Sequence, residues 1–333
     1  MDIRTKRFIG AFLFITLIGC VPLFVKNGYH LGILTMVAIN TILVIGLNLL
    51  MGYAGQVSLG HAAFYGIGAY STAVFTSSQF GWHPFIAALA GIIISIIIAA
   101  VIGIPCLRLR GHYLALATLG FGWIMFIVMK NWEPLGGTSG IEKVPFLVVG
   151  NIIINDDPTR FYFTWTVALI ILWITWNIVH SRVGRALRAL HTSEIASASL
   201  GVYITGYKLQ VFLLSAVFAS IAGSLYAHCI NFVSPNTFNF VTSVQIVVMT
   251  VIGGMASVWG APVGAGVITI LVEVLREVGD KFGDKVKYLK DSDVIVHGLI
   301  LVLAMIFMPS GVYCTIFDNI VRVFRRKKSG GAV

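Results

Sequence analysis

Apolar residues run through this chain in long blocks separated by short polar breaks, and the blocks have the length of bilayer crossings. A helix rises about 1.5 Å per residue, so roughly 17 to 25 apolar residues span the hydrocarbon core. Read that way, crossings fall near 8–25, 31–51, 62–78, 85–107, 113–129, 163–179, 209–229, 243–258, 262–275 and 294–308. The pattern predicts an all-α polytopic transmembrane helix bundle of about 8–10 spans, forming one domain over residues 1–333. The pair 243–258 and 262–275 is short for two full crossings, so some spans are expected to be broken or re-entrant.

Two breaks carry more than turn chemistry. The first is Gly52-Tyr53-Ala54-Gly55-Gln56-Val57-Ser58-Leu59-Gly60-His61, inside an otherwise apolar stretch from Gly46 to Tyr70. Its glycines free the backbone to leave the helix, and Asn48, Gln56, Ser58 and His61 set polar groups around the gap. Irregular backbone at membrane depth survives only where protein or a wet cavity surrounds it. The break therefore reads either as a tight turn packed through its glycines or as a broken helix lining a solute path. The second break, Ile252 to Gly266, sets Gly254, Gly260 and Gly264 in a loose echo of Gly55, Gly60 and Gly66. A pair of such breaks in the two halves of a chain points to a site between repeats, although the spacing here differs.

Composition agrees with the blocks. Of 333 residues 58% are hydrophobic and 11% charged, with mean hydropathy +0.92, where a soluble domain carries about 25% charged residues. A formal net charge of +10 raises nucleic acid as a partner, and the placement of the charges removes it. With ten spans and both termini in the cytoplasm, 14 of the 23 Lys and Arg lie inside, against Asp2, Glu194 and Asp318. The outer side holds nine basic and ten acidic residues. That asymmetry follows the positive-inside rule and reports topology and contact with membrane lipid. Arg4, Lys6 and Arg7 followed by an apolar run look like a leader, and Leu17-Ile18-Gly19-Cys20 fits a lipoprotein box. A first span is the preferred reading, because more spans follow. Cys20, Cys106, Cys229 and Cys314 are scattered singly, which supports neither a metal site nor a disulfide framework.

Between spans, Gly136-Gly137-Thr138-Ser139-Gly140 reads as a glycine-rich turn, with a carboxylate-binding nest of backbone N–H groups as the alternative. Arg182, Arg185 and Arg188 recur every three residues, and Thr192 or Ser193 is placed to cap a second short helix from Glu194. Such a basic amphipathic pair lies on lipid or docks into a partner's groove. Residues 276–293 mix five basic and five acidic side chains and read as a solvated external segment. No Gly-x-x-x-x-Gly-Lys-Ser/Thr loop, His-x-x-x-His pair or Gly-x-Ser-x-Gly elbow occurs. Ionisable groups in the spans are scarce, Glu273 being the clear carboxylate, which argues against ion coupling.

The stretch from Gly46 to Tyr70 resembles the signature of the branched-chain amino-acid ABC-transporter permeases of the LivM type (the LivH/LivM family), with urea permeases closely similar. Further likenesses lie at Gly136 to Ile141, Ser181 to Lys208, Asn231 to Pro235, Ile252 to Gly266 and Phe307 to Val312, covering roughly residues 40–312. The resemblance implies a permease subunit of an ABC importer for Leu, Ile or Val, in the bacterial inner membrane, with no enzyme activity, cofactor or metal of its own. It implies as partners a second, LivH-like permease subunit, two ATP-binding subunits and a soluble substrate-binding protein. Under it, 181–208 is a cytoplasmic coupling loop in which Arg185, Arg188 and Glu194 meet the ATPase, and 313–333 is a basic cytoplasmic tail. The family's loop resembles Glu-Ala-Ala-x-x-x-Gly, and here Glu194 to Gly201 is one residue longer. Asn48, Gln56, Ser58 and His61 would line the path, shaped by Gly55, Gly60, Gly254 and Gly260. The alternatives are a urea or amide importer permease and a self-sufficient channel or secondary carrier.

Overall fold

Asn27 accepts the backbone N–H of Tyr29 and starts the first long helix, α1 (Gly28–Asn48), which widens into a π turn over Leu49–Tyr53. The computed structural model describes residues 27–281, apart from 78, 79, 110, 150 and 151, together with 16, 18–22 and 25. The crossing at 294–308, most of that at 8–25, the likeness at Phe307 to Val312 and the tail 313–333 lie outside the described residues.

The chain continues as α2 (His61–Thr76), α3 (Pro84–Cys106), α4 (His112–Asn131), α5 (Asp157–His180), α6 (Arg182–Thr192), α7 (Glu194–Ser199) and α8 (Ile204–Ile230), then α9 (Phe240–Gly253) and α10 (Gly260–Lys281). Among the described residues, five helices are long and apolar enough to cross a membrane: α1 with its π turn, α3, α4, α5 and α8. Of the short ones, α2 has 16 residues and α9 has 14. At about 1.5 Å per residue α9 reaches about 21 Å, short of a ~30 Å hydrocarbon core. Helix α10 runs through Lys281, so the charged stretch begins as its continuation, and 282–293 lie outside the described residues.

Helix α1 is the centre of the bundle. It packs against α5, α8, α9 and α10, and 78% of its apolar stretch is buried, against 22% for α3 and for α4. Polar side chains fix these neighbours: Asn40 Nδ2 donates to Thr269 Oγ1 at 2.9 Å, Trp165 Nε1 to the Leu34 carbonyl at 3.2 Å, and Tyr29 to the Glu273 carboxylate. Helix α3 shows how an outer helix attaches. Ala87, Gly91, Ser95, Ala99 and Gly103 recur every four residues as its buried face, and Phe85, Leu89, Ile93, Ile97 and Val101 recur likewise as its exposed one. Small residues let backbones approach, whereas bulky aliphatic ones suit the lipid side.

The opposite end from α6 is capped by short strands that the apolar pattern did not predict. These are β1 (Ile141–Glu142), β2 (Leu147–Val149), β3 (Ile152–Ile154) and β4 (Phe232–Val233). β1 pairs with β4 and β2 with β3, both antiparallel. Gly136 and Gly140, both with positive φ, close the preceding turn through Gly140 N–H to the Gly136 carbonyl at 3.2 Å. This cap is tied to α8: His228 Nδ1–H donates to the Pro145 carbonyl at 2.7 Å, and Asn231 Nδ2 to the Val144 carbonyl at 2.8 Å. Arg160 of α5 donates to the Cys229 carbonyl at 3.2 Å and lies over the Phe146 ring.

Candidate functional site

The two breaks meet. Asn48, 3% exposed, accepts the backbone N–H of Ala256 at 2.9 Å and donates through Nδ2 to the Ser257 carbonyl at 2.7 Å. One amide thus satisfies a donor and an acceptor left free where the second break leaves the helix. Gly52 makes room for this bridge, since a methyl group there would run into the Asn48 side chain and the Ala256 backbone. The second break is equally close-packed. Gly254, at φ 105°, ends α9, and Gly253 and Gly260 lie backbone to backbone, so that α10 folds back along α9.

The first break is held from two further sides. Leu59 N–H donates to Thr118 Oγ1 of α4 at 3.0 Å, and Ala62 N–H to Ser243 Oγ of α9 at 3.2 Å. A side chain at Gly60 would meet the Thr118 carbonyl. Gly55, at φ +67°, turns the chain where side chains are strained. Gln56 then closes the π turn through its own N–H to the Leu50 carbonyl at 3.0 Å.

Of the expected path residues, Asn48, Gln56, Ser58 and His61 are all buried, and they differ in what they touch. His61 is wedged between α1 and α8. Its Nδ1 pairs with Ser215 Oγ at 3.4 Å, and its ring lies over Gly46. Both polar atoms of the Gln56 amide are buried without a partner among the described residues. A buried unmet polar group costs about 1–3 kcal/mol. Such an amide can both donate to and accept from a polar group brought against it.

The site sits at one end of the bundle. Asn48 ends a 21-residue helix, about 31 Å from its start and so one hydrocarbon thickness away. Helix α6 packs against the π turn at that same end. Ser181 caps α6 by accepting Val183 N–H at 3.1 Å, and Ser193 caps α7 by accepting Ala196 N–H at 3.3 Å. Gly184, Leu187 and Leu190 face the bundle, whereas Arg182, Arg185 and Arg188 are exposed along the outer face. Ile195, Leu200 and Tyr203 beside them are exposed as well. Glu194 turns inward, its carboxylate 2.5 Å from Nζ of Lys208, which is only 7% exposed at the foot of α8.

Removing one member of a largely buried ion pair strands the other. Glu194→Gln is expected to lower stability by about 1–3 kcal/mol, discounted for the partial exposure of the carboxylate. Adding Lys208→Met should recover part of that loss. Thermal unfolding of the single and double variants in detergent measures it, and strictly additive losses would exclude the coupling.

Residue spacing gave no sign of Thr118, Ser243, Ala256 or Ser257 as partners of the breaks. Each lies at least 59 positions from the group it satisfies.

The family profile described as branched-chain amino acid transport system / permease component matches residues 29–307, which include both breaks and the α6–α7 pair. The chain is 32% identical to the high-affinity branched-chain amino acid transport system permease protein LivM of Salmonella typhimurium, over 93% of this chain and 75% of that protein. Its identity to LivM of Escherichia coli is 31% over the same shares. With the permease protein BraD of Pseudomonas aeruginosa it is 25%, over 84% of this chain and 92% of the relative. No solved structure matches the chain.

Proposed function

This chain belongs to the branched-chain amino-acid transport system permease family, and on that premise we propose that it is the membrane-spanning permease subunit of an ABC importer that passes Leu, Ile or Val inward. The observation that carries the reading is the family match, which runs through every helix that builds the site. The chain is a multi-pass membrane protein whose energy comes from elsewhere, since its sequence holds no P-loop. Its partners on this reading are a second permease subunit, two ATP-binding subunits and a soluble binding protein that delivers the solute. It is one permease domain over 1–333, with both termini in the cytoplasm as the Lys and Arg distribution favours.

The reading gives the geometry a role. The α6–α7 pair, 181–208, receives the ATPases on its exposed Arg185 and Arg188, while Glu194 anchors α7 to α8 through Lys208. Asn48 holds the two breaks together at that end. Gln56 suits this solute class and a urea-like amide equally. Its amide presents a donor and an acceptor, the complement that a zwitterion's carboxylate and ammonium require without any buried charge. On this reading Gly55, Gly60 and Gly260 shape the path by letting its walls pack closely, against the His191 ring, the Thr118 carbonyl and the Gly253 backbone, and Gly254 by turning the chain at φ 105°.

The test is ATP-dependent uptake by lipid vesicles carrying this chain with ATPase, permease and binding subunits from the same source. Labelled leucine is expected to accumulate and labelled urea is not. Arg188→Glu reverses a charge on the exposed face and should cut leucine uptake by about tenfold, equal to 1.4 kcal/mol of coupling. Urea uptake alone would replace the substrate, and uptake without any ATPase would overturn the importer reading.

A further inference from the structure

Arg185 and Arg188 point away from the bundle, and the polar groups of the breaks are buried inside it. A movement of α6 therefore has to reach those groups through a contact. Most of the inner face of α6 is aliphatic, Leu187 and Leu190, and such a face can slide along its neighbours. His191 is different. On the last turn of α6, its ring lies across the backbone of Gly55: a methyl group at Gly55 would sit 2.6 Å from His191 Cδ2 and 3.6 Å from His191 Cα. No side chain intervenes, so ring edge and helix backbone both rest on the break itself. Helix α6 is closed up to this point, with Thr192 Oγ1 donating to the Arg188 carbonyl at 3.0 Å and Ser193 N–H to the Ala189 carbonyl at 3.0 Å.

We propose that His191 is the positioning residue through which α6 moves the breaks, its ring acting as a wedge on Gly55. The inference rests on the reading of the chain as an importer permease whose α6 is displaced by the ATPases. His191 and Gly55 are both exposed, so the contact lies at the surface of the bundle, and what passes a displacement inward is the main chain itself, since Gly55 is bonded directly to the buried Gln56. The next residue after Gly55 is Gln56, with its buried and unpartnered amide, and Gln56 N–H is bonded back to Leu50 in the π turn. The π turn begins directly after Asn48, whose bridge to Ala256 and Ser257 carries the displacement into the second break. Gly55 has two reasons to be glycine: its positive φ, and the ring that occupies the place of a side chain.

The experiment uses the full complex in vesicles, measuring leucine uptake and ATP hydrolysis together. His191→Ala removes the wedge and should lower uptake by about tenfold or more, with ATP hydrolysis and subunit retention within about twofold of wild type. His191→Phe keeps a planar ring over Gly55 and should restore uptake. Uptake within about twofold of wild type in His191→Ala, or uptake and hydrolysis falling in proportion, overturns the inference. A second arm uses Gly55→Cys with His191→Cys after replacement of the four native cysteines by alanine. The two positions are within disulfide reach. Because His191→Cys also lacks the ring, the reduced double variant should transport as poorly as His191→Ala; uptake by the reduced form within about twofold of wild type overturns the inference. The wild-type complex run in parallel separates the two readings. No ATP-driven uptake there overturns the importer reading and the inference with it, whereas full uptake beside an unaffected His191→Ala overturns the inference alone.

Discussion

Gly223→Val is expected to leave no assembled bundle. Gly223 of α8 lies against the Tyr65 carbonyl and the Ala69 N–H of α2, and Gly68 of α2 lies reciprocally on the backbone of Ser220. The two helices touch backbone to backbone, so a side chain at Gly223 finds main chain where it would need a flexible neighbour. The helices must separate, and separation also breaks Thr72 Oγ1 to Ser224 Oγ, 2.7 Å, in the same interface. Overpacking of this kind against backbone belongs to the rare class of changes costing more than about 4 kcal/mol. The variant should be aggregated or degraded when extracted in detergent, and Gly223→Ala should be intermediate. Gly120→Ala is the matched control, because nothing lies within 4 Å of the added methyl group and alanine is the better helix former. Gly223→Val extracted at wild-type yield, with an unchanged elution volume, would refute the packing argument.

Asn48→Leu should disconnect the breaks without disturbing the helices around them. It strands the Ala256 N–H and the Ser257 carbonyl together, at about 1–3 kcal/mol each if water does not reach them. Asn48→Asp is the sharper probe. It keeps an acceptor for Ala256 but sets a carboxylate against the Ser257 carbonyl, two acceptors with no proton between them, so it should lose more than the leucine variant. Gly52→Ala reaches the same bridge sterically, by placing a methyl group on the Asn48 side chain and Ala256. All three should lower the unfolding temperature in detergent and reduce leucine uptake in the reconstituted complex. Wild-type uptake and thermal stability in both Asn48 variants would show that the bridge does not organise the site.

Much of the architecture was legible along the chain. The eight apolar blocks between residues 31 and 275 correspond to the eight helices that build the bundle, with α5 and α8 starting five or six residues earlier than their apolar runs. A cap at Thr192 or Ser193 for the helix from Glu194 was likewise readable, because a cap is satisfied two or three residues away, and the structure selects Ser193. The short strands were not, since two- and three-residue pairings leave no periodicity to detect. Lys208 was counted with the charged loop and proves to be buried at the foot of α8, because its partner Glu194 lies 14 positions before it on a helix that folds back.

What the sequence determined by itself is the set of properties that adjacent residues share: crossing length, the glycine-opened breaks, the basic face of α6, and the contiguous stretch that marks the family. The tertiary structure alone decided that Asn48 would find Ala256, 208 positions on, that His191 would touch Gly55, and which helix faces meet protein. Hydropathy separates inside from outside in water, where burial is what apolar residues seek. In a bilayer both surroundings of a helix are apolar, and the signal vanishes. Helix α3 is more apolar than α1, yet α3 is the exposed one and α1 the buried centre. The choice between lipid and protein falls instead to backbone approach and to polar groups that must find partners far along the chain, and only the folded arrangement supplies those.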